Sequence, residues 1–186
     1  TPMTEAASPL RRLPGDLDRK ALIARILRVD HAGEYGAVRI YQGQLAVLGR
    51  RSSGPVIRDM AATEQEHLET FQRLLPKHRA RPSALQPLWH VAGYALGAAT
   101  AMLGEKAAMA CTVAVEEVID DHYARQVAQL AEHEELRDVC EKFRQDEVEH
   151  GQTALDNGAR EAPAYRALTG AIKAGSRAAI WLAERI

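Results

Sequence analysis

Apolar positions recur at steps of three and four from about residue 18 onward, the period of an α-helix, and helix-breaking residues interrupt the pattern. These breaks predict six helices. The first spans 18–48 and ends at GRRSSGP (49–55), and the second spans 55–75 and stops at Pro76. An uncharged stretch follows, PSALQPLWHVAGYALGAATAMLG (82–104), and further helices are predicted over 105–131, 134–157 and 164–185. Gly158 closes the fifth, and Pro163 restricts its predecessor to extended geometry ahead of the sixth. Residues 1–17 read as a mobile arm before a single domain, 18–186.

Two of these helices carry charge on the face they must bury. In the second, the stripe runs Ile57, Met60, Glu64, His67, Phe71, Leu74; in the fifth it runs Leu136, Cys140, Phe143, Glu147, His150, Ala154. Glu-x-x-His occurs at these two places and nowhere else in the chain. An unpaired buried carboxylate costs several kcal/mol or more, so each pair needs partners from other helices. The preceding helices supply candidates. Glu34 lies 30 residues before Glu64 on the stripe Ile23, Leu27, Asp30, Glu34, Ala37, Tyr41. Glu116 lies 31 residues before Glu147 and shares a face with Ile119, Tyr123 and Leu130. The two half-chains thus match at an offset of 82 (34 to 116) or 83 (64 to 147), as in a pseudo-twofold bundle.

Four inward carboxylates in a low-dielectric core repel one another severely unless cations neutralise them. Residues three apart on a helix reach the same point, so each Glu-x-x-His can hold one ion with both side chains. A Glu from each of two helices plus a Glu-x-x-His from each of two others is the ligand set of di-iron and di-manganese bundles. Mixed carboxylate and imidazole ligation suits iron or manganese better than zinc, magnesium or calcium, and oxygen chemistry selects two iron ions per chain. A lone Glu-x-x-His is usually a solvated surface pair. Here the motif replaces core positions, twice, with an upstream Glu each time.

Composition narrows the picture. Low aromatic content (5%) and abundant straight side chains favour an all-α fold of 186 residues. With 24 Lys plus Arg against 25 Asp plus Glu there is no basic surplus for nucleic acid. Cys111 and Cys140 form no CxxC and read as buried free thiols in a reducing compartment. The stretch 82–104 is rich in Ala and Gly and is interrupted by His90 and prolines, which suits an amphipathic helix on a membrane surface better than a spanning one. KHRAR (77–81) before it and Lys106 after it match anionic headgroups; the alternative is a solvated turn before a buried helix. Leu88, Trp89, Tyr94, Leu96 and Met102 are its candidate membrane and substrate contacts.

Other residues divide between roles. Asp146, Asp30 and Asp120 are candidates to orient a ligand imidazole, while His31, His78 and His133 read as surface or helix-end residues. Tyr123, two turns from Glu116, reads equally as a redox or proton-transfer group and as a packed tyrosine. Gly33 and Gly36 bracket Glu34 and either admit oxygen or substrate or allow close helix packing.

The segments VDHAGEYGA (29–37), EQEH (64–67), PLWHVAGYALGA (87–98), ACTVAVEE (110–117) and DEVEHGQTALD (146–156) together resemble the demethoxyubiquinone hydroxylase family of ubiquinone biosynthesis. That resemblance implies a ferritin-like four-helix bundle with two additional helices. It implies an O2-dependent di-iron monooxygenase that hydroxylates the ring of a polyprenylated demethoxyubiquinol. Its six ligands fall on Glu34, Glu64, His67, Glu116, Glu147 and His150, and its His-Tyr proton- or electron-transfer pair falls on His122 and Tyr123. It further implies peripheral membrane attachment and a lipid-binding partner within a ubiquinone-synthesis complex. A short connection around LAEHEEL and the lack of a visible presequence look bacterial. The expected place is the cytoplasmic face of the inner membrane, or the matrix side in a eukaryote.

Two electrons must come from outside, because no glycine-rich dinucleotide motif follows a strand. The candidate sources are a separate reductase, NADH acting through the quinone, or the quinol itself. A homo-oligomer is compatible with the sequence. The rival readings of the same ligands are a ferroxidase or iron-binding ferritin-like protein, a rubrerythrin-like peroxidase, and a purely structural bundle without metal.

Overall fold

Asp18 starts the first helix: its Oδ1 accepts the backbone N–H of Ala21 at 2.7 Å, a cap worth about 1 kcal/mol. The computed structural model describes residues 17–186, so the arm expected over 1–17 lies outside the described residues except for exposed Leu17. The chain then forms α1 (Arg19–Leu48), α2 (Gly54–Lys77), α3 (Gln86–Met102), α4 (Glu105–Gln129), α5 (Glu134–Asp156) and α6 (Tyr165–Ala183). A single 3-10 turn, Ala159–Glu161, precedes α6. No strand occurs among the described residues.

All six predicted helices are present, and their ends shift for local reasons. Pro76 does not stop α2 but sits in its last turn. A proline there forfeits one bond, to the carbonyl of exposed Gln72, which water can satisfy, and the chain continues with His78 N–H on Leu74 O at 3.0 Å. The neutral helix begins at Gln86 rather than at 82. At the end of α5, Gly158 takes φ +86°, the left-handed conformation that an L side chain rarely adopts. Ala162, ahead of Pro163, is extended as expected (φ −61°, ψ 141°).

Connections of five residues (49–53) and four residues (130–133) make α1/α2 and α4/α5 antiparallel hairpins. α3 then packs along α1, and α6 along α4, so each half of the chain is a hairpin with an outer helix laid back on its first member. Glycines set the α1/α3 distance. A Cβ on Gly97 would lie 1.9 Å from Ile40 O, one on Gly43 2.2 Å from Tyr94 O, and one on Gly93 2.8 Å from Gly36 O. The glycines that make 82–104 weakly apolar therefore serve backbone-to-backbone packing.

Because α1 is covered on several sides, Asp30, His31 and Ala32 are all buried. The surface reading of His31 is wrong for that reason, and burial lowers its pKa. His78 and His133 do lie at helix ends, at the close of α2 and the start of α5. Two apolar plugs fill the bundle. One gathers Tyr41, Leu48, Ile57, Met60, Met109 and Ala154; the other gathers Leu27, Phe71, Leu74, Leu130, Cys140 and Phe143. Along all four core helices the six candidate ligands fall between these plugs.

The glycine contacts have opposite consequences at packed and open positions. Gly97→Ala should destabilise the protein by about 1–3 kcal/mol, because a methyl group would enter a backbone contact. Gly170→Ala, with nothing within 4 Å of its added Cβ, should stabilise α6 by roughly 0.5–1 kcal/mol. Thermal unfolding of the two variants checks both signs.

Candidate metal centre

The six residues expected to meet do meet. Glu34, Glu64, His67 and Glu147 form one cluster, and Glu64, Glu116, Glu147 and His150 form a second; in each, one donor atom per residue lies within 4.8 Å of the others. Glu64 and Glu147 belong to both, the placement required of bridging carboxylates. All six side chains are buried, at 0–7% exposure.

Each imidazole turns Nδ1 inward. Nδ1 of His67 is 3.2 Å from Glu147 Oε1 and 3.6 Å from Glu34 Oε2; Nδ1 of His150 is 2.8 Å from Glu64 Oε1 and 3.7 Å from Glu147 Oε2. Yet eight buried atoms here make no aligned hydrogen bond: Oε2 of Glu34 and Glu116, both oxygens of Glu64 and Glu147, and both Nδ1 atoms. Native cores rarely leave such groups unpaired. Donors that crowd together without pointing at one another converge on common centres between them. The donor set, carboxylate oxygen plus neutral imidazole, fits a pair of divalent first-row cations.

In the metal-free cage the charges are poorly accommodated. Burial, then Glu147, pushes the Glu116 carboxyl well above its ordinary range, and burial, then Glu147, Glu34 and Glu116, does the same to Glu64. Burial also raises Glu147. Burial opposes a charge on His67, but Glu147 and Glu34 outweigh it and push its pKa up to about 10; His150 is lowered, chiefly by burial.

The surroundings repeat across the pseudo-twofold, and part of that repeat escaped the sequence reading. Tyr41 Oη donates to Glu116 Oε1 at 2.8 Å, and Tyr123 Oη donates to Glu34 Oε1. Each tyrosine stands seven residues after the Glu of its own helix and clasps the Glu of the other. That common spacing was the available signal for Tyr41. Gln44 and Gln126, each ten residues after its Glu, likewise reach across: Gln44 Nε2 to Ala108 O at 3.1 Å, Gln126 Nε2 to Asp30 Oδ1 at 2.6 Å.

His122 touches none of the six. Its Nε2 lies 3.4 Å from Asp30 Oδ1 and 2.8 Å from Gln126 Nε2, beside a small polar pocket of about 30 Å³ shared with Arg25 and Arg125. Of the three candidate orienting aspartates, Asp146 Oδ2 meets His67 Nε2 at 3.0 Å; Asp30 serves His122 and Gln126, and Asp120 pairs with Arg144 at 2.7 Å. Phe143 stacks on the His67 ring with centroids 3.8 Å apart.

A cavity of about 370 Å³ lies outside Glu34 and Glu116, bounded by α1, α3, α4 and α6. Its floor is Gly33, Ala37, Val115 and Ile119, the residues one before and three after each of those glutamates. Gly33 and Gly36 both face it, with nothing within 4 Å of an added Cβ, so at these two positions the glycines provide open space. The five contacts expected on the neutral helix divide between two faces. Trp89 and Leu96 line the cavity, whereas Leu88, Tyr94 and Met102 are exposed. Val91, three residues after Leu88, and Leu103, just past the end of α3, are exposed as well and add to the outer face; helical spacing from Leu88 was the signal for Val91. No helix among the described residues is long and apolar enough to cross a membrane.

An all-α bundle whose core closes four carboxylates and two imidazoles around paired centres able to hold metal ions has the architecture of a ferritin-like protein. Within that class the chain belongs to the family described as ubiquinone biosynthesis protein COQ7, whose profile matches residues 21–183. A 3-demethoxyubiquinol 3-hydroxylase of Rhodospirillum rubrum is 60% identical over 177 residues, covering 94% of this chain and 84% of its own length. The human NADPH-dependent 3-demethoxyubiquinone 3-hydroxylase, mitochondrial, is 54% identical over 172 residues (90% and 79%). The 5-demethoxyubiquinone hydroxylase, mitochondrial, of Saccharomyces cerevisiae is 42% identical over 184 residues (89% and 79%).

The proton affinities set a pH dependence. In the metal-free protein Glu64, Glu116, Glu147 and His67 hold protons to higher pH than in the unfolded chain, so the folded state binds more protons. The carboxyl contributions are present below the ordinary carboxylate range and are lost as pH rises through their raised values, while that of His67 is lost as pH rises toward about 10; His150, lowered by burial, is neutral in both states above pH 7. Metal-free protein should therefore lose stability between pH 7 and 10, at about 1.4 kcal/mol per pH unit for each extra proton held. Metal-loaded protein, its ligands already deprotonated, should show a flatter curve. Urea unfolding of both forms across that window is the check.

Proposed function

We propose that this protein is an O2-dependent di-iron monooxygenase that hydroxylates the ring of a polyprenylated demethoxyubiquinol in ubiquinone biosynthesis. The observation that carries the reading is the junction of a buried carboxylate and imidazole centre with an apolar cavity floored by the neighbours of Glu34 and Glu116. A hydrated iron ion bound for storage needs a polar path, and this one is lined by Val115, Ile119, Trp89 and Leu96, which disfavours the ferroxidase alternative. The names of the relatives give the substrate class.

Glu34 with His67 and Glu116 with His150 would hold one iron each, and Glu64 with Glu147 would bridge them. When bound, such a pair supplies the redox chemistry that activates O2. The chain does the rest. Tyr123 and Tyr41 fix one oxygen of Glu34 and of Glu116, leaving the other oxygen of each directed at the centre. The apolar cavity excludes water and takes the quinol ring, and the prenyl tail leaves between α3 and α6, which make no close backbone contact. Asp30 and Gln126 hold His122 at a polar pocket, where it can pass protons inward on the side of Tyr123. Of the three candidate electron sources, an external nicotinamide is the one supported by the human relative's name, which specifies NADPH.

A long-tailed quinol is nearly insoluble in water, so the enzyme takes it from a bilayer. Leu88, Val91 and Met102 on α3, Leu103 just past its end and Trp181 on α6 form the exposed apolar surface that rests on the membrane. The placement is peripheral, on the cytoplasmic or matrix side, where the lipid-binding partner and the rest of the synthesis complex would be met.

Two experiments test this reading. Glu116→Ala should lower turnover of a demethoxyubiquinol analogue by the iron-loaded protein at least about 100-fold, and unchanged turnover would remove Glu116 from the site. Replacing Leu88, Val91 and Met102 together by Asp should weaken vesicle co-sedimentation and raise KM for a long-tailed substrate while sparing a short-chain analogue. Normal binding and an unchanged KM would contradict the membrane assignment.

A further inference from the structure

The internal repeat is broken in one consistent direction. Offsets of 82 and 83 pair Glu34 with Glu116, Tyr41 with Tyr123, Glu64 with Glu147 and His67 with His150. The same offsets pair Asp146 with Thr63 and Asp30 with Thr112. On the Glu34 side, Asp146, the residue before Glu147, crosses to α2 and accepts from His67 Nε2 at 3.0 Å. On the Glu116 side, Thr63, the residue before Glu64, directs its hydroxyl to its own helix, at 3.4 Å from Asp59 O. Among the described residues no carboxylate lies within 4.0 Å of His150 Nε2; its only carboxylate neighbours are at Nδ1. Asp30, one turn before Glu34, is buried, whereas Thr112 places a neutral group one turn before Glu116. Both exchanges remove a negative charge from the same half.

We propose that the two metal positions are unequal and that Asp146, a positioning residue acting through His67, makes the Glu34–His67 position the first to fill. The proposal rests on the di-metal reading above. A carboxylate on the far nitrogen of an imidazole ligand fixes the ring and raises the basicity of the ligating nitrogen, and losing it costs 10–100-fold in metal affinity. His67 has this support and a stacked Phe143 beneath its ring; His150 lacks the carboxylate. The centre would thus be loaded in order, the Glu34–His67 position before the Glu116–His150 position.

Mn(II) alone serves as the probe, and occupancy is the readout. Metal-free protein crystallised with one equivalent of Mn(II) should show anomalous density at the Glu34–His67 position exceeding that at Glu116–His150 at least about tenfold. Asp146→Asn should bring the two occupancies together, Asp146→Glu should restore the preference, and Thr63→Asp should raise occupancy at Glu116–His150. In solution, counting free Mn(II) by its magnetic resonance signal should show Asp146→Asn weakening the tighter step by 10–100-fold. Equal occupancies in the unaltered protein, first filling at Glu116–His150, or an occupancy ratio untouched by Asp146→Asn would overturn the proposal and leave the di-metal reading standing. Absence of any bound Mn(II) would overturn both.

Discussion

Four carboxylates cannot share a dry core unless something neutralises them, and the architecture follows from that constraint. Glu34, Glu64, Glu116 and Glu147 are all at most 2% exposed, and of the two imidazoles among them only His67 is held in its charged form, His150 being pushed toward neutrality by burial. In the metal-free cage Glu64 and Glu116 respond by holding their protons, and His67 by holding its own. Two divalent cations would replace those protons and convert repulsion into ligation. The bundle is built to keep the six groups where that exchange is possible: apolar plugs close it above and below, and tyrosines from opposite helices fix the outer glutamates.

Function depends on how the same frame opens. The face of α1 and α4 that carries Glu34 and Glu116 also floors the cavity, so a substrate held there lies one residue layer from the centre. Glycine contacts press α3 onto α1 along Gly93, Gly97 and Gly43, while Gly33 and Gly36 leave space beside Glu34. One neutral helix thereby has three duties on three faces: packing through its glycines, cavity lining through Trp89 and Leu96, and an outward apolar surface through Leu88, Val91 and Met102.

Much of this was legible in the chain because the chemistry interrupts a periodic pattern. Glu64, His67, Glu147 and His150 stand where apolar residues belong, and helical period alone was enough to place them inside. Helix limits were legible wherever a cap or a glycine marks them, as at Asp18 and Gly158. What the pattern could not show was contact across helices. Tyr41 looked like an ordinary core residue, the burial of His31 depends on α1 being covered on several sides, and the partner of Asp146 lies 79 residues away on another helix. The neutral stretch misled in part because composition reports how apolar a helix is and not which of its faces meets what.

The central claim is that two iron ions lie among Glu34, Glu64, His67, Glu116, Glu147 and His150. Crystals of protein loaded anaerobically with excess iron test it most directly, through anomalous scattering at the iron edge. The account predicts two peaks, roughly 3.5–4 Å apart, one beside each imidazole and both in reach of Glu64 and Glu147. A single peak, none, or density outside this cage would contradict it.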